Sequence, residues 1–150
     1  WPGKIEQGAV SNEVISQLDI MATLAAITGI ELPETAAPDS YNFLPVIMGE
    51  AYQSPIREAT IHNTFATKWG IRKGKWLYIN DPSGGHRKLP ESFKALREYK
   101  DFTTECLLFD MEEDPEQGVN LYEKYPEKII EMSDLLTQYR STGNSVKSTQ

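Results

Sequence analysis

The sequence predicts an α+β fold: a small four-stranded antiparallel sheet packed by a C-terminal helix, preceded by helices that belong to another layer. Three observations carry that prediction. The hydrophobic period changes from helical to strand-like near residue 59. A two-residue turn at Lys73-Gly74 separates two alternating runs, which reads as a hairpin. An amphipathic stripe begins after Pro126, where a proline suits a first helical position.

The elements follow in chain order. Trp1-Pro2-Gly3-Lys4 reads as a strand end and turn, since a bulky residue before proline is held extended. Ser16-Gln17-Leu18-Asp19 has the form of a capping box with Asp in place of Glu. Leu18, Met21, Ala22, Ala25 and Ala26 then recur at helical spacing as far as Gly29, a suitable residue to end a helix. After Asp19 this helix is almost uncharged, and a helix without a polar face is normally buried on most sides. Little downstream looks able to surround it, which points to a missing partner domain. Residues 31–41 read as a loop, and Phe43–Met48 as a short helix ending at Gly49.

Ala59–Phe65 alternates as a strand, with Ile61 and Phe65 on one face and Thr60, His62 and Thr64 on the other. Trp69–Arg72 and Lys75–Asn80 form the hairpin, with Trp76 and Tyr78 facing one way and Leu77 and Ile79 the other. Asp81-Pro82-Ser83-Gly84-Gly85 breaks the sheet, and a polar excursion runs to about Glu105. Leu107-Leu108-Phe109 returns as the fourth strand. In the last helix Ile129, Met132, Leu135, Leu136 and Tyr139 form one stripe, and residues 141–150 are expected to fray.

Composition narrows the function classes. The chain has 150 residues, 39% of them hydrophobic, which places it with globular proteins and excludes disorder, collagen and coiled coil. No apolar run approaches the roughly 20 residues of a membrane span. The net charge of −7 is unevenly divided: residues 51–100 carry ten bases and four acids, and both flanking thirds are acidic. A basic middle third suits an anionic ligand as well as a solvated hairpin. Nucleic acid is not expected, because no binding motif accompanies the bases.

Motifs for independent chemistry fail one by one. Asp110–Glu116 has acids at alternate positions like a calcium loop, but Pro115 stands where glycine is required and Leu121 where glutamate is required. Cys106 has neither a CxxC partner nor an adjacent base, and reads as a buried packing thiol. His62 and His86 lack a GxSxG serine, and histidines so placed serve more often in solvation or packing than in catalysis. No catalytic residue and no metal ligand is therefore assigned.

The order of local patterns resembles the C-terminal portion of the sulfatases, the alkaline-phosphatase-like hydrolases of sulfate esters that include the arylsulfatases. Trp1-Pro2-Gly3-Lys4-Ile5 with Gly8 resembles their Trp-Pro-Gly-x-Ile-x-x-Gly segment. Ser16-Gln17-Leu18-Asp19 to Leu24 is similar to their Ser-x-Leu-Asp helix, with Ala22 in place of the usual proline. Asp39–Pro45 with Gly49 follows, although Ser40 and Asn42 depart from the pattern. Ile71–Trp76 is similar to an Arg-x-Gly-Lys-Trp hairpin. Leu108-Phe109-Asp110 through Asp114-Pro115-Glu116 to Asn120-Leu121, and then Pro126-Glu127, complete the series.

The resemblance implies that residues 1–50 are the tail of an α/β catalytic domain, 55–140 a C-terminal subdomain and 141–150 a frayed tail. It implies a sulfuric ester hydrolase acting on an aryl or carbohydrate sulfate, with calcium and a formylglycine made within Cys/Ser-x-Pro-x-Arg. Cys106 precedes Leu107 and Leu108, so it is not that nucleophile, and no cofactor is expected in this chain. The implied partners are the N-terminal catalytic domain and a sulfated small molecule or sugar, and the implied location is periplasmic or extracellular. His62 and His86 are the candidate substrate contacts, with Lys68, Arg87 and Lys88 as weaker ones. The 150-residue chain alone is expected to be inactive and to pair as a dimer. The rival readings are a phosphatase or phosphonate hydrolase on the same scaffold, and a stand-alone interaction domain.

Overall fold

The computed structural model describes residues 1–33, 35–65, 67–82, 90–97 and 102–143. Its elements are α1 (Ile20–Thr28, led by a 3-10 turn at Gln17–Asp19), α2 (Leu44–Met48), β1 (Thr60–Phe65), β2 (Lys68–Lys73), β3 (Trp76–Ile79), α3 (Glu91–Arg97), β4 (Leu107–Asp110) and α4 (Pro126–Thr142). The chain divides into two compact units, one of residues 1–58 with the chain from Tyr139 onward, the other of residues 59–138.

In the first unit the capping box forms as its sequence requires. The Ser16 hydroxyl accepts from the Leu18 N–H, and the Asp19 carboxylate accepts from the Ser16 N–H at 2.7 Å. Gly29 closes α1 at φ +68°, where its N–H and that of Ile30 reach the carbonyls of Ala26 and Ala25. The side of α1 that faces inward is its polar side. Asp19 and Thr23, four residues apart and therefore on one face, are its buried residues. Leu18, Ile20, Met21 and Leu24 are each at least half exposed. The helix is thus not surrounded within the described residues, in line with the expectation that little downstream could cover so apolar a segment.

A polar cluster explains this orientation. The Asp19 Oδ1 accepts from the Tyr41 N–H at 2.9 Å and from the buried Arg57 guanidinium. Thr23 Oγ1 accepts from the Phe43 N–H at 3.1 Å, and the Ser40 hydroxyl accepts from the Ala22 N–H at 2.9 Å. Arg57 also donates to the Asp39 carbonyl and lies 4.6 Å above the Tyr41 ring. The loop at 39–43 is therefore stitched to α1 through side chains rather than through an apolar seam. Nearby, burial beside the Glu58 carboxylate pushes the Tyr139 phenol up to about 12, and its hydroxyl donates to Glu58 at 3.3 Å.

In the second unit the strand order is β1-β2-β3-β4, all antiparallel. Lys73 pairs with Trp76, so the hairpin turn is Gly74-Lys75, one residue later than the sequence suggested. Gly74 takes φ +55° at its first position, as such turns need. One row across the sheet reads Ile61, Ile71, Tyr78, Leu108, and this face lies against α4: Trp76 meets Tyr125 edge-on at 5.2 Å, and Lys73 pairs with Glu131 at 3.4 Å. Met132, Leu135 and Leu136 are buried as the stripe predicted.

β4 is buried on both faces although it sits at the sheet's edge. Its free edge is covered by Asn120-Leu121. The Leu108 N–H donates to Asn120 Oδ1 at 3.0 Å, and the Leu108 carbonyl accepts from the Leu121 N–H at 2.8 Å. Asn120 Nδ2 donates to Thr104 Oγ1 at 2.8 Å, whose hydroxyl donates onward to the Cys106 carbonyl. An edge strand so satisfied has no unpaired row to offer another chain.

Two differences from the sequence reading are local. Helix α3 occupies part of the stretch expected to be a polar excursion. Its Pro90-Glu91 opening matches that of α4, but Phe93 and Leu96 are its large apolar residues and both are exposed, so no stripe announced it. Helix α4 continues through Ser141 and Thr142, two residues into the stretch expected to fray, and ends at Gly143 with φ +70°.

Two substitutions test these supports. Replacing Asn120 with Ala strands the Leu108 N–H and should cost about 1–3 kcal/mol, read as a lower urea midpoint at unchanged slope. Arg57→Met leaves the Asp19 carboxylate buried and unpaired, and should cost about 3–5 kcal/mol with faster amide exchange at Tyr41 and Phe43.

Candidate functional site

The sheet has a second face, opposite α4. Alternation and register place Thr60 and His62 of β1, Lys68, Gly70 and Arg72 of β2, and Leu77 and Ile79 of β3 on it. His62 lies directly across from Gly70 and is exposed. Lys68 and Arg72 flank Gly70 along β2. With no side chain at Gly70, Leu77 and Ile79 lean beside it: a Cβ there would stand 3.7–3.8 Å from their side chains. The surface is a low, half-buried apolar floor with an imidazole, an ammonium and a guanidinium around it.

The charges on this surface are held in place. Lys68 Nζ donates to Asp81 Oδ1 at 2.9 Å, and Arg72 Nε donates to the Gly74 carbonyl at 3.1 Å. Asn80 fixes the entry to β2 by accepting from the Trp69 N–H at 2.7 Å. Of the residues singled out from the sequence, His62 and Lys68 share this face. Arg72, one of the bases of the middle third that the sequence left open between an anionic ligand and a solvated hairpin, joins them. The signal was available in the period-2 spacing of Lys68, Gly70 and Arg72, but it needed the strand register to be seen. His86, Arg87 and Lys88 lie outside the described residues.

The acidic turn after β4 has a structural occupation. Asp110 Oδ2 pairs with Lys75 Nζ at 2.6 Å, while its Oδ1 accepts from the N–H groups of Glu112 and Glu113. The bond to Lys75 holds the Asp110 carboxyl below its usual range and raises the Lys75 ammonium. Asp114 accepts from the N–H groups of Gly118 and Val119, closing the turn. These carboxylates are committed to the backbone and to lysine. Among the described residues no group of three or more His, Cys, Asp or Glu is arranged to hold a metal ion.

Cys106 is buried against Tyr78, and burial pushes its thiol up, away from the reactive thiolate. The described residues thus do not fit either calcium or a formylglycine, and no step through those groups is assigned to this chain. What the second face can do is receive an anionic ligand with an apolar side.

No protein-family model matches the chain. Among curated proteins it is 33% identical over 141 residues to the N-acetylgalactosamine-6-O-sulfatase of Bacteroides thetaiotaomicron, covering 94% of this chain and 26% of that one. It is 29% identical to arylsulfatase A of Bos taurus, covering 92% of this chain and 28% of the relative. A solved sulfatase structure, reported for the metabolism of multiple glycosaminoglycans by Bacteroides thetaiotaomicron, superposes with a TM-score of 0.68 at 31% identity, over 94% of this chain and 28% of that one. The chain spans about a quarter of the length of the relatives it matches, and the matched part is their C-terminal portion.

The commitment of Asp110 and Asp114 has a measurable consequence. A ligand that binds the folded state raises its stability. Thermal unfolding of the 150-residue chain should therefore be the same in millimolar calcium as in excess chelator. A rise in Tm with calcium would show a metal site in this chain.

Proposed function

The chain belongs to the sulfatases, as the C-terminal portion of one, and from that premise we propose that the whole protein hydrolyses the sulfate ester of a carbohydrate. The supporting observation is the 33% identity, along 94% of the chain, to an enzyme named for N-acetylgalactosamine 6-O-sulfate. The same likeness favours a sulfate ester over the phosphate or phosphonate substrates of the rival reading, and an enzyme over a stand-alone interaction domain. In this reading residues 1–50 are the tail of the catalytic α/β domain, 55–140 the C-terminal subdomain and 141–150 a tail. Formylglycine and calcium belong to the polypeptide outside this chain. The 150 residues alone are inactive, and the protein works in the periplasm or outside the cell. Within the described residues no helix is long and apolar enough to cross a membrane.

The contribution of this chain is to border the substrate. An amino sugar carrying sulfate has apolar C–H faces and an anionic group, and the β1–β3 face offers both complements. Leu77 and Ile79 form the floor, and His62 is the exposed donor at its margin. Arg72 adds positive potential without needing to touch the ligand, while Lys68 is paired with Asp81. His86 is the second proposed contact. Each acts on the leaving sugar and takes no part in the bond-breaking step.

The test is kinetic and uses the full-length protein. Turnover of N-acetylgalactosamine 6-sulfate supports the reading, and turnover of phosphate or phosphonate esters alone defeats it. His62→Ala should lower kcat/KM on the sulfated sugar about fivefold, the loss of one hydrogen bond to a hydroxyl or amide of the sugar. A small aryl sulfate, with no sugar to hold, should be unaffected. A change within about twofold on the sugar would remove His62 from the binding surface.

A further inference from the structure

We propose that Gly70 is a specificity-determining residue, whose missing side chain leaves a seat for the methyl of an acetamido group on the sugar. The inference rests on the sulfated-sugar reading above and names the substituent that this face recognises. Among the described strands Gly70 is the one glycine, and it stands inside β2 with a paired strand on either side. Glycine weakens a strand interior, because it loses more chain entropy on ordering and packs no side chain. Such a glycine marks a bulge, a strained turn of the backbone, a close neighbour or the approach of a ligand.

The first three do not apply. The register through Gly70 is regular, opposite His62 on one side and Ile79 on the other. Its φ lies outside the left-handed region that Gly29, Gly49 and Gly74 occupy, so its conformation is open to any residue. A Cβ would stand 3.6 Å from the Tyr78 carbonyl oxygen, 3.7 Å from Ile79 Cγ1 and 3.8 Å from Leu77 Cδ1. Those are ordinary van der Waals contacts, and an alanine fits among these neighbours. The same face also holds an unmet polar group. The Thr60 hydroxyl is buried and has no hydrogen-bond partner among the described residues. Two departures from stability thus fall on one face of the sheet, and both point to a group from outside the described residues.

The surroundings select that group. Leu77 and Ile79 wall the gap with carbon, so the part that enters is apolar and no larger than a methyl. Gly70 is buried at the floor of this face, so a group seated there is desolvated. His62, directly across from Gly70 on β1, is exposed and offers an imidazole N–H at the margin. An acetamido group carries a methyl and a carbonyl oxygen on one carbon, and so meets both features together. A hydroxyl in its place has no methyl to bury and is left against carbon.

The test compares two substrates on the full-length protein, N-acetylgalactosamine 6-sulfate and galactose 6-sulfate. They differ only in carrying an acetamido group or a hydroxyl at one carbon. The wild type should favour the first in kcat/KM. Gly70→Ala fills the gap and should cut that preference about tenfold, the discrimination that one methyl-sized change in an apolar pocket carries. Its Tm should equal or exceed the wild-type value, because alanine orders in a strand at a smaller entropy loss than glycine. A purely structural glycine would not give selectivity loss without Tm loss. Equal losses on both sugars, an unchanged preference, or a wild type that does not discriminate would overturn the proposal. So would a lower Tm, which would show that the polypeptide itself occupies the gap. Calorimetric binding of the two sugars separates this inference from the reading beneath it. A protein that turns over no sulfate ester defeats the sulfatase reading. Weaker binding of the acetamido sugar alone by Gly70→Ala would still uphold the seat, and equal binding, or none, overturns it.

Discussion

A carboxylate buried out of contact with water must find donors, and in the first unit that requirement falls on Asp19. Its oxygens take N–H groups from Ser16 and Tyr41 and the guanidinium of Arg57, three stretches far apart in sequence. A fully desolvated ion pair adds little net stability, but losing one partner leaves the other uncompensated. The pair therefore acts mainly as a specification: it fixes which side of α1 faces in. Thr23, one turn later, repeats the choice by accepting from Phe43. The apolar residues of α1 are left outward as a consequence of a polar constraint on the opposite side.

The second unit is built on a different economy. Its core is apolar, with Ile71, Leu108 and Met132 fully buried between sheet and helix, and Phe109 buried on the opposite face against Phe102. The exposed liability is the edge of β4, and Asn120 covers it with a side chain that mimics a neighbouring strand. Asp110 and Asp114 serve the turn between β4 and α4 in the same way, by receiving backbone N–H groups. Residues that look like a ligand set in sequence are here a means of closing a loop. The face opposite α4 is mixed: at β4 it buries Leu107 and Phe109, and at β1 and β2 it carries His62, Lys68 and Arg72.

Much of this was legible in the chain. The capping box at Ser16, the closing glycines at 29 and 49, the β1–β3 strands, the α4 stripe and the packing role of Cys106 are local or periodic features, decided by contacts within a few residues. The order of family motifs was equally readable, because each is a short structural device. Helix α3 was missed for the same reason in reverse: its two large apolar residues, Phe93 and Leu96, are exposed and too few to make a stripe. Of the candidate site, His62 was found as a residue type, and its setting was not.

The sequence by itself determined most of the secondary structure and the family, since these depend on residue identity and short spacing. Tertiary structure alone decided three things. Strand register put Lys68 and Arg72 on the face of His62, because a one-residue slip would send them to the other side. Long-range hydrogen bonds joining Asn120 to Leu108 and Thr104 made its side chain the cover of an edge. The pairing of Asp19 with Arg57, 38 residues away, turned an apolar helix outward. No local pattern could announce that, because the partner that satisfies a buried charge is chosen by the folded chain and not by its neighbours in sequence.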